Sequence, residues 1–166
     1  MIIRHETASD IDAISEVTIA AFQTLAISQH TEQYIIQALR DAHALTISLV
    51  AEFGGQVVGH IAFSPVSISD GTQNWYGLGP ISVMPAFQRK GIGKSLMYEG
   101  LAALKALGAQ GCALVGDPHY YQRFGFANHP QLVYEGIPEE YFMVLPFGET
   151  VPKGTVTFHP GFAARA

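Results

Sequence analysis

The chain is poor in cysteine, in charge and in long apolar runs, and each shortage excludes something. Among its 166 residues there is one cysteine, Cys112. A lone thiol closes no internal disulfide, and the run GCALVG around it suits a small buried apolar side chain better than a nucleophile. A reducing compartment is the expectation. A run of roughly eighteen apolar residues, the minimum for a membrane-spanning helix, occurs nowhere, and the opening MIIRHETASDID has no apolar core of a secretion signal. We therefore expect a cytoplasmic protein with no membrane partner. Only 14% of residues are charged, and nine Lys and Arg against fourteen Asp and Glu leave a net charge of −5. That balance excludes the broad basic surface that binds nucleic acid or anionic lipid without specificity. His5, His30, His43, His129 and His159 show no metal-ligand spacing, so with one cysteine no metal is expected.

What is present is an ordinary globular mixture, 48% apolar with 17 glycines. A chain of this length buries roughly 70% of its unfolded surface, enough for one domain over residues 1–166. IIR reads as a first strand. Polar cap candidates in TASD then open a helix with Ile11, Ile14, Val17, Ala21 and Phe22 on one stripe. A second helix is predicted from Thr31, its cap, to about Ala42, with Ile35, Ala38, Leu39 and Ala42 inward. LTISLVAEF and VVGHIAFSPVSI around GGQ predict a hairpin. WYGLGPISVM is a strand distorted by Gly77, Gly79 and Pro80, because proline cannot donate to a ladder.

A helix from Gly91 to Leu107 comes next, with Ile92, Leu96, Leu101, Leu104 and Leu107 as its stripe and Gly108 as the left-handed cap. CALV is predicted as a buried strand and PHYYQRFGF as a short helix ending at Gly125. EYFMVLPF and GTVTFHPGF are predicted to close the fold as an antiparallel pair.

The junction FQRKGIGKS concentrates three of the nine basic residues, Arg89, Lys90 and Lys94. A helix start there offers unpaired N–H groups and a positive dipole end, and Gly91 and Gly93 let an anion approach. Its final Gly-Lys-Ser is that of a Walker A nucleotide loop. Such a loop needs glycine where Gln88 stands, and a magnesium-holding acid at a strand end, where Gly116 precedes Asp117. A nucleotide hydrolase is therefore disfavoured.

Gln88-Arg89-Lys90-Gly91-Ile92-Gly93 resembles the Gln/Arg-x-x-Gly-x-Gly/Ala signature of the GNAT superfamily of N-acetyltransferases, preceded by the distorted strand LGPISVMP. YYQRFGF resembles its second motif, a tyrosine followed by a basic residue and Gly-Phe. GHIAFSPV and GDPHYYQRFGF look like the YhbS-type branch, and the similarity covers nearly the whole chain. The resemblance implies an α/β (α+β) fold: a mixed, mostly antiparallel central sheet of about seven strands, flanked by helices and splayed at the fourth.

It also implies acetyl-CoA as co-substrate and transfer of its acetyl group to a primary amine by direct attack. N–H groups of Arg89, Lys90, Gly91, Ile92, Gly93 and Lys94, with Gln88 and Ser95 nearby, would hold the pyrophosphate, Lys90 and Lys94 adding charge. Ile81, Ser82 and Val83 would pair with the pantetheine arm, one N–H polarising the thioester. Tyr121 aligns with the family's donor to the thiolate, and Tyr120 ranks second. The strand glutamate that serves many members as base is absent here, which leaves His60, His119 and Asp117 as candidates. That absence also favours an alternative, a non-catalytic acyl-CoA-binding sensor. Glu135, Glu139 and Glu140 would attract a cationic acceptor. A small-molecule or protein amine is the expected partner, with a homodimer left open.

Overall fold

A computed structural model describes residues 1–166. The first strand, β1 (Ile2–His5), passes through a 3-10 turn into α1 (Ile11–Phe22). The turn is fixed by Asp10, whose carboxylate accepts from the Thr7 N–H at 2.7 Å and from both ends of the Arg4 fork at 2.7 and 3.0 Å. α1 buries Ile14, Val17 and Ala21 of its predicted stripe, with Thr18 beside them, while Ile11 and Phe22 at its ends are only half-buried.

α2 (Glu32–Asp41) buries Ile36 and Leu39. Of the predicted inner face Leu39 is buried, but Ile36 takes the place of Ile35 and Ala42 is exposed. The sequence offers Ile35 and Ile36 side by side, and the helix takes the phase that sets Ile36 against Ile14 and Val50. Thr31 stands at the cap position without a cap bond.

β2 (Ile47–Phe53) and β3 (Gln56–Pro65) form the predicted hairpin. Gly54 and Gly55 turn it at φ 59° and 82°, the positive values that a two-residue turn of right-handed twist requires. The chain then bends at Val66, so that Ser67–Ile68 becomes a separate short strand, β4. The remaining strands are β5 (Trp75–Val83), β6 (Gly111–Val115), β7 (Leu132–Val133), β8 (Phe142–Pro146) and β9 (Gly154–Thr157).

These strands build a six-stranded sheet in the order β1-β2-β3-β5-β6-β8 and a three-stranded sheet in the order β4-β9-β7. The main sheet is antiparallel except between β5 and β6. It has six strands where about seven were expected, and the closing antiparallel pair does not form. β8 pairs with β6 instead, Phe142 opposite Val115, while β9 lies between β4 and β7. Val156 of β9 is buried in a second core with Ile68, Trp75, Ala113, Leu132, Phe142 and Val144. β9 reaches that core only by lying over the sheet, not beside β8.

On the other face, α3 (Ile92–Ala106) buries Ile92, Leu96, Met97, Gly100, Leu101 and Leu104. Leu107, predicted on this stripe, is 45% exposed. The helix has ended by then, and Gly108 takes φ 92°. After β6 come α4 (Pro118–Tyr121) and a 3-10 turn at Gln122–Phe124, stopping at Gly125 as expected. No helix is long and apolar enough to cross a membrane.

Candidate active site

The two central strands separate where the sequence placed its distortion. β5 pairs with β6 only through Trp75, Gly77 and the residue between them, against Gly111–Ala113. Opposite β3, Phe63 faces Leu78 while Ile61 faces Ile81, so β5 carries one extra residue around Gly79 and Pro80, a bulge that re-aims the end of the strand. Met84 donates its N–H to Val58 at 2.8 Å, toward β3. By the alternation of a strand, Val83 and Ile81 turn their N–H groups the other way, into the opening.

The loop that closes this opening is held from β5. Gln88 donates from Nε2 to the Val83 carbonyl at 3.0 Å, and its backbone is extended at φ −69°. The left-handed residues are instead Arg89 and Gly91, at φ 63° and 83°. This is not the wrap of a Walker loop, and Asp117 caps α4 by accepting from the His119 N–H at 2.9 Å. No acceptor of the chain takes the N–H groups of residues 89–94; the first bond of α3 runs from Ser95 N–H to Gly91 at 3.0 Å. Free donors on successive residues at the positive end of a helix are an anion site in waiting.

The resulting cleft, about 520 Å³, is lined by Ile81, Ser82, Val83, Gln88, Arg89, Gly91, Gly93 and Lys94, all predicted, and by Phe87, Tyr120 and Arg123. Three predicted residues fall outside the lining. Ser95 has spent its N–H within the helix, the Ile92 side chain is core, and Lys90 Nζ lies 5.6 Å from the Phe87 ring centroid. Arg123, to which the sequence alone assigned no role, places its guanidinium 4.8 Å from the Tyr120 ring centroid. The basic residue of the YYQRFGF motif was the signal for it. The cleft contains cations, amides and a phenol, but no carboxylate and no imidazole.

Of the two predicted tyrosines, Tyr120 lines the cleft and Tyr121 lies outside its lining. The Tyr120 hydroxyl reaches the helix start, 3.3 Å from where a Cβ on Gly93 would be. The Tyr121 ring packs on Gly116, immediately after β6, with Cε2 2.4 Å from where a Cβ would be. Tyr121 therefore stands at the strand end that has parted from β5. Burial, with Tyr120 and Asp117 adding to it, pushes its phenol up to about 12, so it is a hydrogen-bond donor across the neutral range.

His60 is fully buried on β3. Gly59 beside it faces α3, so His60 points to the opposite face, the side of α1 and α2. Nε2 lies 2.7 Å from Ser48 Oγ, and Nδ1 has no partner; neither do Ser64 Oγ and Ser82 Oγ. Burial pushes the imidazole down to about 4, against the pull of Glu6. A separate cavity of about 370 Å³ is lined by Asn128, His129, Tyr134, Glu135, Glu139 and Phe142 among others; Glu140 lies outside it. No cluster of three or more His, Cys, Asp or Glu side chains is arranged to hold a metal ion.

Solved structures share this fold. A GNAT family acetyltransferase from Brucella melitensis, solved in complex with acetyl-CoA, superposes with a TM-score of 0.87 at 50% identity, over 97% of both chains. Escherichia coli YhbS, solved in complex with CoA, gives 0.89 at 31% identity, over 97% of this chain and 91% of that one. By sequence, the uncharacterized N-acetyltransferase YhbS of Escherichia coli strain K12 is 35% identical over 127 residues, 76% of this chain and 73% of YhbS. The acetyltransferase (GNAT) family matches residues 11–126. A helix start with free N–H groups, a strand splayed beside it and a tyrosine at the parting thus belong to a mixed α/β GNAT fold, and the chain is a member of the acetyltransferase (GNAT) family.

Proposed function

We propose that the chain transfers the acetyl group of acetyl-CoA to a primary amine by direct attack in a ternary complex. The observation that carries this reading is the junction itself: free N–H groups of residues 89–94 beside the open edge of β5. Pyrophosphate on the helix start would lay the pantetheine arm along Ile81–Val83. An N–H of that edge, already aimed outward, would polarise the thioester carbonyl, a donor worth about 3 kcal/mol in the transition state. The acetyl-CoA and CoA complexes of the two structural relatives support the choice of ligand.

Tyr121, at the parted strand end, donates to the departing thiolate. Tyr120 and Arg123 stand nearer the phosphates, with Arg89 and Lys94. For the acceptor, Glu135 and Glu139 line the cavity beyond β8 and give it a negative wall, which favours a cationic amine. The lack of a carboxylate or imidazole in the cleft favours a second reading, an acyl-CoA-binding sensor that performs no transfer.

Calorimetric titration with acetyl-CoA, CoA and ATP, then thiol release across an amine panel, tests both. Binding of acetyl-CoA and CoA but not ATP, with amine-dependent release, is the expected result. Binding without release on any amine would leave the sensor, and tight ATP binding alone would remove both.

A further inference from the structure

We infer that His60 is the proton acceptor of the transfer, reached from the cleft through the Ser82 hydroxyl and held in register from behind by Ser48 and Glu6. The inference rests on the acetyl-transfer reading. A serine hydroxyl has one hydrogen, and that of Ser48 goes to the Glu6 carboxylate. Burial raises the Glu6 carboxyl, but hydrogen bonds from Arg40 and Ser48 outweigh it and keep the group ionised, so it only accepts. Ser48 Oγ must then accept from His60, and the 2.7 Å contact is Nε2–H to Oγ. The neutral ring consequently presents a bare lone pair at Nδ1.

That lone pair is buried and without a partner. Directly across the ladder from His60 stands Ser82, and opposed residues of an antiparallel pair carry Cβ atoms about 5 Å apart on one face. Ser82 Oγ is likewise buried and without a partner, so the two atoms are not bonded to each other in this structure and a side-chain rotation must bring them together; Ser82 itself lines the cleft. An acceptor with no donor therefore neighbours a donor with no acceptor, at the edge of a cleft whose lining holds no base. Packing alone explains neither polar group, because an apolar side chain fills a buried strand position at lower cost.

The surroundings select this proton state. Glu6, after β1, and Arg40, on α2, are the charged groups acting on the ring. β2 contributes Ser48 and β5 contributes Ser82, while α1 turns Ile14, Val17, Thr18 and Ala21 inward, none of them titratable. A nucleophile's base oriented by a third group is a general catalytic pattern; here Glu6 and Ser48 are positioning residues, acting through His60.

The protons balance. The acceptor ammonium gives one proton to Ser82 Oγ as Ser82 gives its own to His60 Nδ1. The freed nitrogen lone pair forms the C–N bond, the C–S bond breaks, and its electron pair leaves on sulfur. Tyr121 gives its proton to sulfur and takes up the second nitrogen proton in its place, leaving the free thiol and the amide. The imidazolium, facing Glu6 through Ser48, returns its proton through Ser82 to solvent once products leave.

Two measurements test this on the full chain. With ¹⁵N-labelled histidine, NMR at neutral pH should show His60 as the neutral Nε2–H tautomer, and Ser48→Ala should lose that single state. A cation or an Nδ1–H tautomer overturns the inference. Kinetics then use two primary amines that the unmodified chain acetylates, matched in shape but differing by fluorination beside nitrogen, so that one is an ammonium and the other already neutral. His60→Gln should lower turnover of the ammonium about 10²-fold and that of the neutral amine by less than about threefold. Equal losses on both would make His60 structural only. If the unmodified chain binds acetyl-CoA yet releases thiol with no amine, the acetyl-transfer reading falls, and this inference with it.

Discussion

The Gln88 side-chain amide donates to the Val83 carbonyl at 3.0 Å, joining the loop before α3 to the splayed strand. In the proposed pose the two elements hold one long ligand and must keep a fixed spacing, and this bond spans them. An amide–carbonyl bond contributes about 1 kcal/mol net. Gln88→Ala should therefore weaken acetyl-CoA binding about fivefold, with the melting temperature unchanged. Titration calorimetry decides it, and full affinity in the variant would detach Gln88 from cofactor binding.

Tyr121 and Tyr120 should part company under substitution. Tyr121→Phe removes the donor at the strand end and should lower kcat at least about tenfold, with acetyl-CoA affinity preserved. Gly116→Ala should act alike, because a Cβ there would lie 2.4 Å from Tyr121 Cε2 and the ring must move. Tyr120→Phe, whose hydroxyl stands by Gly93, should instead weaken affinity and spare kcat. The reverse split would exchange the roles of the two phenols.

Much of this site was legible because its chemistry is local. Gly91 and Gly93 mark a helix start, Gly79 and Pro80 mark a bulge, and both signals depend only on neighbouring residues. What stayed hidden depends on distant ones. Nothing in GTVTFHPGF says that Val156 is buried beside Trp75, and the adjacent Ile35 and Ile36 permit two helix phases until Ile14 and Val50 choose one. His60 shows the same limit. Its residue type made it a candidate base, but its tautomer is set by Ser48 and Glu6, residues 12 and 54 positions earlier in the chain, which only the sheet brings together.

The acidic cavity beyond β8 yields a contrast among the three glutamates of residues 135–140. Glu135 and Glu139 line it and Glu140 does not. Exposed carboxylates attract a cation by about 0.5 kcal/mol each, screened by salt. Glu135→Gln and Glu139→Gln should each raise KM for a cationic amine about twofold at low salt, with kcat held, and Glu140→Gln should leave it unchanged. Steady-state kinetics at two ionic strengths makes the comparison. Equal effects of all three would mean a diffuse field rather than a binding wall.

His60 also sets a pH dependence of stability. Its value in the folded chain, about 4, lies below the ordinary 6.5 because burial disfavours the cation. Between those values the unfolded chain binds a proton that the folded chain does not, so stability rises with pH across this window and is lost as pH falls through it. The full span is on the order of 3 kcal/mol, at about 1.4 kcal/mol per pH unit. Glu6 and Asp10, both held below their ordinary values with Arg40 and Arg4 as partners, act in a different window. Their contribution is complete above the unfolded carboxyl range and is lost on further acidification. Urea midpoints from pH 7 downward should therefore fall in two stages, and His60→Gln should flatten only the first. A first stage that persists in His60→Gln would assign it to another histidine and return His60 to an uncharged part of the core.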